Sequence, residues 1–324
     1  MGAEYGLRKR QQGVHAMTSF ILRRLFNLVP VLIGISLATF VMLYVLPGDP
    51  AEMLTPRRAD PLTVKQIRQK HHLDDPLPVR YAAFLGRLAR GDLGVSIRSE
   101  RPVTKILLNR FFPTAQLAIG SLLFALALGL PAGVLSAVRP RSWIDGASML
   151  VALAGVSLPV FWLGMMLIVL NGQLGAVFAV SGYAPFSPHH FVLPCVALGT
   201  VTAALLARLT RASMLEELHR DYVRTARAKG VAEWCVVLRH ALRNALVPIV
   251  TVIGVSLASL LSGAVLTETV FNIPGLGREM FDAIVARDYP VVVGAVMWLA
   301  LTFVIVNLIV DLFYAWLDPR IRYD

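Results

Sequence analysis

The sequence predicts an all-α integral membrane protein with six transmembrane helices and a basic helix–turn–helix between the fourth and the fifth. Three observations predict it: the composition, six apolar runs of membrane-crossing length, and the placing of arginine between them. Of 324 residues, 56% are hydrophobic, and mean hydropathy is +0.65, outside the range of ordinary soluble domains. A net charge of +11 is of the size that nucleic-acid binders carry. Here, however, the basic residues lie between apolar runs rather than along a helix face or among stacking aromatics. Topology therefore explains them, and no nucleic-acid partner is expected. Two cysteines, Cys195 in an apolar run and Cys235 in the basic loop, exclude a disulfide framework. With seven scattered histidines they offer no zinc spacing.

Taken in order, residues 1–19 read as a polar, basic, disordered extension in which Met17 is itself a candidate start. Residues 20–46 form the first expected span. Arg23 and Arg24 precede an apolar run, Phe26 to Leu46, that is too long for a signal-peptide core and has no small-residue cleavage site after it. Pro30 near its start is tolerable in a membrane helix. Residues 47–113 read as an external amphipathic subdomain. It opens on the turn signal LPGDP, and Tyr81, Phe84, Leu85 and Leu88 keep helical spacing. A loop of that length crosses a membrane despite its positive charge.

Residues 114–317 read as a five-helix core, with spans near Thr114–Val138, Ala147–Leu170, Phe191–Ala207, Val247–Leu266 and Val291–Leu317. Each is close to the ~20 residues that cross a hydrocarbon core. None carries Lys or Arg near its middle, where each costs about 2.5–3.5 kcal/mol. The N-terminus, the turn Arg139–Gly146, the loop 219–247 and the tail 318–324 all contain arginine, which places both termini on the cytoplasmic side. Asn171–His190 has no Lys or Arg and reads as external. Gly129 and Gly133 form a small-xxx-small pair for close helix approach, with Pro131 between them as a bend. Pro159 breaks the third span.

The loop from His219 to Pro248 carries Arg220, Arg224, Arg227, Lys229, Arg239 and Arg243 against Asp221 and Glu233 alone. Ala226, Ala228 and Gly230 make a small-residue face, and Gly230 is placed to end one short helix and turn the chain into a second. Further on, Pro274-Gly275-Leu276-Gly277 makes a tight turn. A short helix follows from Arg278 to Arg287, with Met280, Phe281, Ile284 and Val285 on one side.

Catalytic patterns are absent. There is no G-x-x-x-x-G-K-[ST] phosphate loop, and SLLSGAV near Leu260 shares only letters with an ATPase signature. His71-His72 beside Asp74-Asp75 reads as a solvated cluster, since adjacent histidines cannot easily share one metal from one helix face. Asn171, Gln173, Glu268, Asn307 and Asp311 are polar groups at or near membrane depth. Of these, Asp311 is expected to pair with Arg208 or Arg211.

The stretch DYVRTARAKG…HALRNALVP resembles the cytoplasmic coupling loop of ABC-type importer permeases, in its dipeptide/oligopeptide branch. The family pattern (E-A-A, three residues, G, then L-P) falls on Arg224, Thr225, Ala226, Gly230 and Val247-Pro248, departing at its first two positions. LPGDP, FLGRLARGDLGVS and PGLG…RDYP resemble the same branch, in the order that it requires. The resemblance implies a type I importer permease fold. The chain would be a permease without its own ATPase, moving di- or oligopeptides across the cytoplasmic membrane of a bacterium. Its partners would be a homologous second permease, two ATPase subunits that bind ATP and Mg, and an external solute-binding protein. It implies coupling roles for Arg224, Thr225, Ala226, Arg227, Ala228, Lys229 and Gly230. Pro274, Gly275, Leu276, Gly277, Arg287 and Asp288 would face the external gate and the binding protein. Neither a cofactor nor a metal is implied in the chain itself. Nickel complexes or haem-like cargo are the alternative within the class. An ion-gradient-driven transporter is the alternative outside it, and would need inverted repeats around a mid-membrane site.

Overall fold

In the computed structural model, residues 29–41 and 75–317 are described, with isolated positions at 26, 60, 62, 65 and 68, and side chains as far as Val310. The expected extension 1–19, the tail 318–324, His71, His72, Asp74 and the side chain of Asp311 lie outside the described residues, as do most of 47–74.

The described chain is helical, and its contacts divide it into two units: residues 1–104 with 286–324, and residues 105–285. Among the described residues four helices are long and apolar enough to cross a membrane: α3 (Val103–Val138), α6 (Pro188–Leu218), α8 (Glu233–Leu261) and α11 (Tyr289–Leu317). A shorter apolar helix, α1 (Val29–Val41), occupies the expected first span. The third expected span is two helices, α4 (Trp143–Ser157) and α5 (Val160–Gln173), bent by 107°. Leu158 has ψ 131° and Pro159 caps α5. A residue before proline is pushed out of the helical region, so the bend is written in two letters of sequence.

In the first unit α2 (Leu77–Ala89) fulfils the helical spacing read at Tyr81 and Phe84. Phe40 of α1 lies 5.3 Å from the Tyr81 ring and 5.9 Å from that of Phe84, and Tyr81 Oη shares a 2.8 Å hydrogen bond with Ser36. The amphipathic helix is thus docked on α1 by its aromatic face.

In the second unit α6 is the central post, packed against α4, α5 and α8. Its contact with α3 is made backbone to backbone. A Cβ on Gly129 would stand 2.6 Å from the Ala203 carbonyl oxygen, and one on Gly133 2.7 Å from that of Ala207 and 2.5 Å from Thr210 Cβ. Gly120 against Cys195 Sγ, at 2.6 Å, and Gly199 against the Ser121 carbonyl, at 2.6 Å, continue the seam. The glycine pair read in sequence is half of a longer stripe, which lets dispersion forces act at closest range where no hydrophobic drive exists between helices. At one end of the seam Ala137, Met214, Val237, Ala241 and Ala245 form a buried cluster that joins α3, α6 and α8.

Candidate functional site

The basic loop folds as the sequence indicates. Beyond α6, helix α7 (Asp221–Ala228) runs to a turn at Gly230, and α8 begins at Glu233. Gly230 has φ +75°. Its N–H donates to Arg227 O at 3.0 Å, and that of Val231 donates to Ala226 O at 3.2 Å. These two bonds make a Schellman motif, and the apolar contact that accompanies such motifs is present, because Val231 packs on Val223, Ala226 and Val236. Arg227 and Lys229, at the C-terminal end of α7, sit where the helix dipole favours cations. Arg227 makes a two-point contact with Glu233, at 2.6 and 3.1 Å, that ties the two helices together.

Of the seven residues expected to couple, Arg224, Thr225, Arg227, Ala228, Lys229 and Gly230 are exposed. Ala226 is turned inward at 8% exposure. The small-residue face is therefore split: Ala226 belongs to the seam that stiffens the loop, while Ala228 and Gly230 belong to its surface. Sequence reasoning passed over Trp234, which stands 70% exposed one residue beyond Glu233. Past it the first turns of α8 widen into a π-helical segment, Val236–Ala241, a distortion often found at functional sites. Tyr222 Oη donates to Glu217 at 2.5 Å and reaches the His240 carbonyl at 3.4 Å, fixing α7 to both neighbours.

The Pro274–Gly277 turn is built around a residue that the sequence left without a role. Glu268, in the short helix α9 (Val265–Val270), is fully buried. Its carboxylate accepts from Thr114 Oγ1 at 2.7 Å and from the Arg278 N–H at 2.8 Å. Thr114 Oγ1 in turn accepts from the Leu276 N–H at 2.7 Å. The carboxylate therefore closes the N-terminal end of α10 (Leu276–Ala286), where the helix dipole is positive. Gly275, Leu276 and Gly277 are buried and Pro274 half-buried, so these four form the seat of a carboxylate more than an outward face. What α10 exposes is Phe281, Ile284 and Val285. Arg110 of α3 pairs with Glu279 of α10 at 2.8 Å.

Within the other unit Arg287 is exposed, with φ +59°, but Asp288 is buried. It accepts from Ser96 Oγ at 2.5 Å and from the N–H groups of Ile97 and Arg98 at 3.1 and 3.3 Å. It holds a turn, because peptide N–H groups removed from water need acceptors.

Burial pushes the Glu268 carboxyl above the ordinary carboxylate range, while the hydrogen bonds from the Arg278 N–H, Thr114 and the Ala264 and Gly277 backbones pull it down. The folded state then binds this proton more tightly than the unfolded state does. The contribution of Glu268 to stability falls as pH rises from about 4.5 upward through the raised value. Thermal melts of the purified protein and of Glu268→Gln at stepped pH should differ by that falling slope; parallel curves would count against it.

Asn171 and Asn307 are bonded locally. Both amide atoms of Asn171 bond the Phe178 backbone at 2.9 Å, and Asn307 donates to Phe303 O on its own helix at 2.9 Å. Arg211, one of the two expected partners of Asp311, is held by Asp145 at 2.5 and 2.8 Å, and the Asp311 side chain itself lies outside the described residues. Among the described residues no group of three or more His, Cys, Asp or Glu could hold a metal ion.

Comparison with known proteins matches residues 129–323 to the family described as the binding-protein-dependent transport system inner membrane component. Residues 17–118 match the N-terminal part of such membrane components. The chain is 39% identical to the dipeptide transport system permease protein DppB of Alkalihalophilus pseudofirmus, over 95% of this chain and all of that protein. It is 42% identical to the glutathione transport system permease protein GsiC of Escherichia coli K12, over 95% of this chain and all of that one. A structure of the MetNI methionine ABC transporter in inward-facing conformations shares the fold, with a TM-score of 0.53 at 20% identity, over 66% of this chain and 96% of that chain. With both parts of the chain matched and relatives near 40% identity along their whole length, the chain belongs to the family of inner membrane components of binding-protein-dependent transport systems.

Proposed function

We propose that this chain is a membrane-spanning permease subunit of an ATP-driven importer, and that it carries di- or oligopeptides handed over by an external solute-binding protein. The peptide reading is supported by its relatives: one is named for dipeptide transport and the other for glutathione, itself a tripeptide. The chain holds the path, and two separate ATPase subunits, with their ATP and Mg, supply the work. A homologous second permease completes the channel. The chain carries out no bond-breaking chemistry of its own, and both of its termini lie on the cytoplasmic side.

The observation that carries this reading is the α7–Gly230–α8 tip, which is stiffened from within by Val223, Ala226, Val231 and Val236 and left exposed at Arg224, Ala228, Lys229 and Gly230. A tip that is rigid inside and free outside suits a contact that must transmit force. Closure of the ATPase pair would draw the two permeases' tips together and switch the cavity between its inward- and outward-facing forms.

Neutralising Arg224, Arg227 and Lys229 together tests the contact. Arg227 is held by Glu233 at two points, whereas Arg224 meets Asp221 only at 3.7 Å, so the loss should fall mainly on Arg224 and Lys229. Co-purification of the ATPase subunits should weaken about tenfold at low salt, and the difference from the parent should shrink at high salt, where surface charge is screened. Equal recovery across a salt series would leave those charges with topology as their purpose. Uptake by the chain alone in vesicles, driven by an ion gradient without nucleotide, would reject the importer reading itself.

A further inference from the structure

The strongest polar tie on α4 has no part in the mechanism so far. Asp145 is 5% exposed in the first turn of α4, and Arg211 lies about two turns before the end of α6. The guanidinium meets the carboxylate through both of its oxygens, Nε to Oδ1 at 2.5 Å and the terminal nitrogen to Oδ2 at 2.8 Å. The carboxylate also accepts the Arg141 N–H at 2.9 Å, and Ser142 Oγ accepts the Asp145 N–H at 3.3 Å. The acid is thus fixed to the α4 N-terminus on one side and to α6 on the other.

Further along, α4 and α6 meet without any directional bond. Gly155 faces the methyl of Thr200, whose hydroxyl is spent on its own helix at Val196 O, 2.6 Å away, and faces Ala204 beyond it. That surface can slide; a two-point ion pair resists both sliding and rotation. From Arg211 the helix is unbroken to Leu218, and the basic tip follows at once. From Asp145 the helix is unbroken to Ser157, where the 107° bend begins.

Resting on the importer reading, we propose that Asp145 and Arg211 are positioning residues that pass movement of the coupling tip to the α4–α5 bend. When the ATPase pair closes, α6 is displaced at its tip end, and the ion pair makes the start of α4 follow it. Without the pair the tip still docks and nucleotide is still hydrolysed, but α4 slips along the Gly155 contact and the bend stays where it was.

The test uses the whole complex, the chain with its ATPase subunits and second permease in proteoliposomes. The reporter is Ser157→Cys, an exposed position at the bend, in a Cys235→Ser background. Its maleimide labelling rate is compared between nucleotide-free and ATP–vanadate-trapped states. The parent should show a change of about fivefold. Asp145→Asn and Arg211→Lys should each reduce it below about twofold while vanadate trapping is retained. Lysine keeps the charge and loses the two-point fork, so it decides the matter if Asp145→Asn fails to assemble. The double variant Asp145→Asn/Arg211→Lys should be no worse than either single one, because the two act as a unit. A parent-sized change in both single variants, or losses that add in the double one, would overturn the proposal. So would a bend that does not move in a parent that traps nucleotide. A parent that neither binds the ATPase subunits nor traps nucleotide would instead overturn the importer reading, and the proposal with it.

Discussion

Gly275→Ala is expected to prevent folded protein from accumulating in the membrane. A methyl group there would overlap the Glu268 carboxyl group, which has nowhere to go. Thr114 Oγ1 and the Arg278 N–H hold the carboxylate, Leu276 N–H holds Thr114, and Glu268 itself is fully buried. To make room, the acid must leave its donors, so the variant pays for overpacking and for orphaned buried groups together. About 1–3 kcal/mol for each gives a loss of roughly 2–6 kcal/mol, a large part of the 5–15 kcal/mol typical of a whole domain. A fluorescent fusion run through size-exclusion chromatography in mild detergent would read it, with Gly146→Ala as control, since nothing lies within 4 Å of a Cβ at that helical position. The pair Gly275→Ala and Glu268→Ala should be less damaged than the sum of its parts. A monodisperse peak of parental height from Gly275→Ala would show that the turn is not seated on the carboxylate.

Gly230→Asp should abolish uptake while sparing the fold. No heavy atom lies within 4 Å of a Cβ built there, so no clash opposes the side chain. What opposes it is the backbone, whose φ of +75° costs an L-residue about 1–2 kcal/mol. Asn and Asp bear that conformation better than Ala does. A comparison of Asp, Asn and Ala therefore separates strain from occlusion. If the tip must fit a partner's groove, all three should lose transport, by about tenfold or more for a charged side chain at the contact. If only strain matters, Ala should be the worst of the three. Uptake of a radiolabelled dipeptide and ATP hydrolysis, measured together in proteoliposomes, give the answer. Normal uptake in Gly230→Asp, with parental abundance, would remove the tip from the coupling path.

What the sequence showed and what it hid divide along a physical line. The Gly230 turn, the α2 spacing at Tyr81 and Phe84, and the approach at Gly129 and Gly133 are set by backbone freedom and helical period, which a few neighbouring letters reveal. The break at Pro159 is legible too, although the run Ala147–Leu170 has the length of one span. Glu268 stayed hidden because its partner Thr114 is 154 residues away. Asp288 and Ser96 are 192 apart, and Asp145 and Arg211 66. None of these distant pairings is visible from local pattern. Each joins a carboxylate to donors that only the fold assembles. The setting of the candidate gate residues is hidden for the same reason: Gly275 and Gly277 look like a surface turn until the acid beneath them is in place.

The glycine stripe between α3 and α6 bears on how the molecule is made. Its two halves leave the ribosome apart, with α4 and α5 emerging between them. The earlier half must therefore wait in lipid with its groove uncovered. It can do so cheaply at the glycines, which add no polar side chain that lipid would leave unmet. Biogenesis can then proceed by lateral insertion first and zippering afterwards.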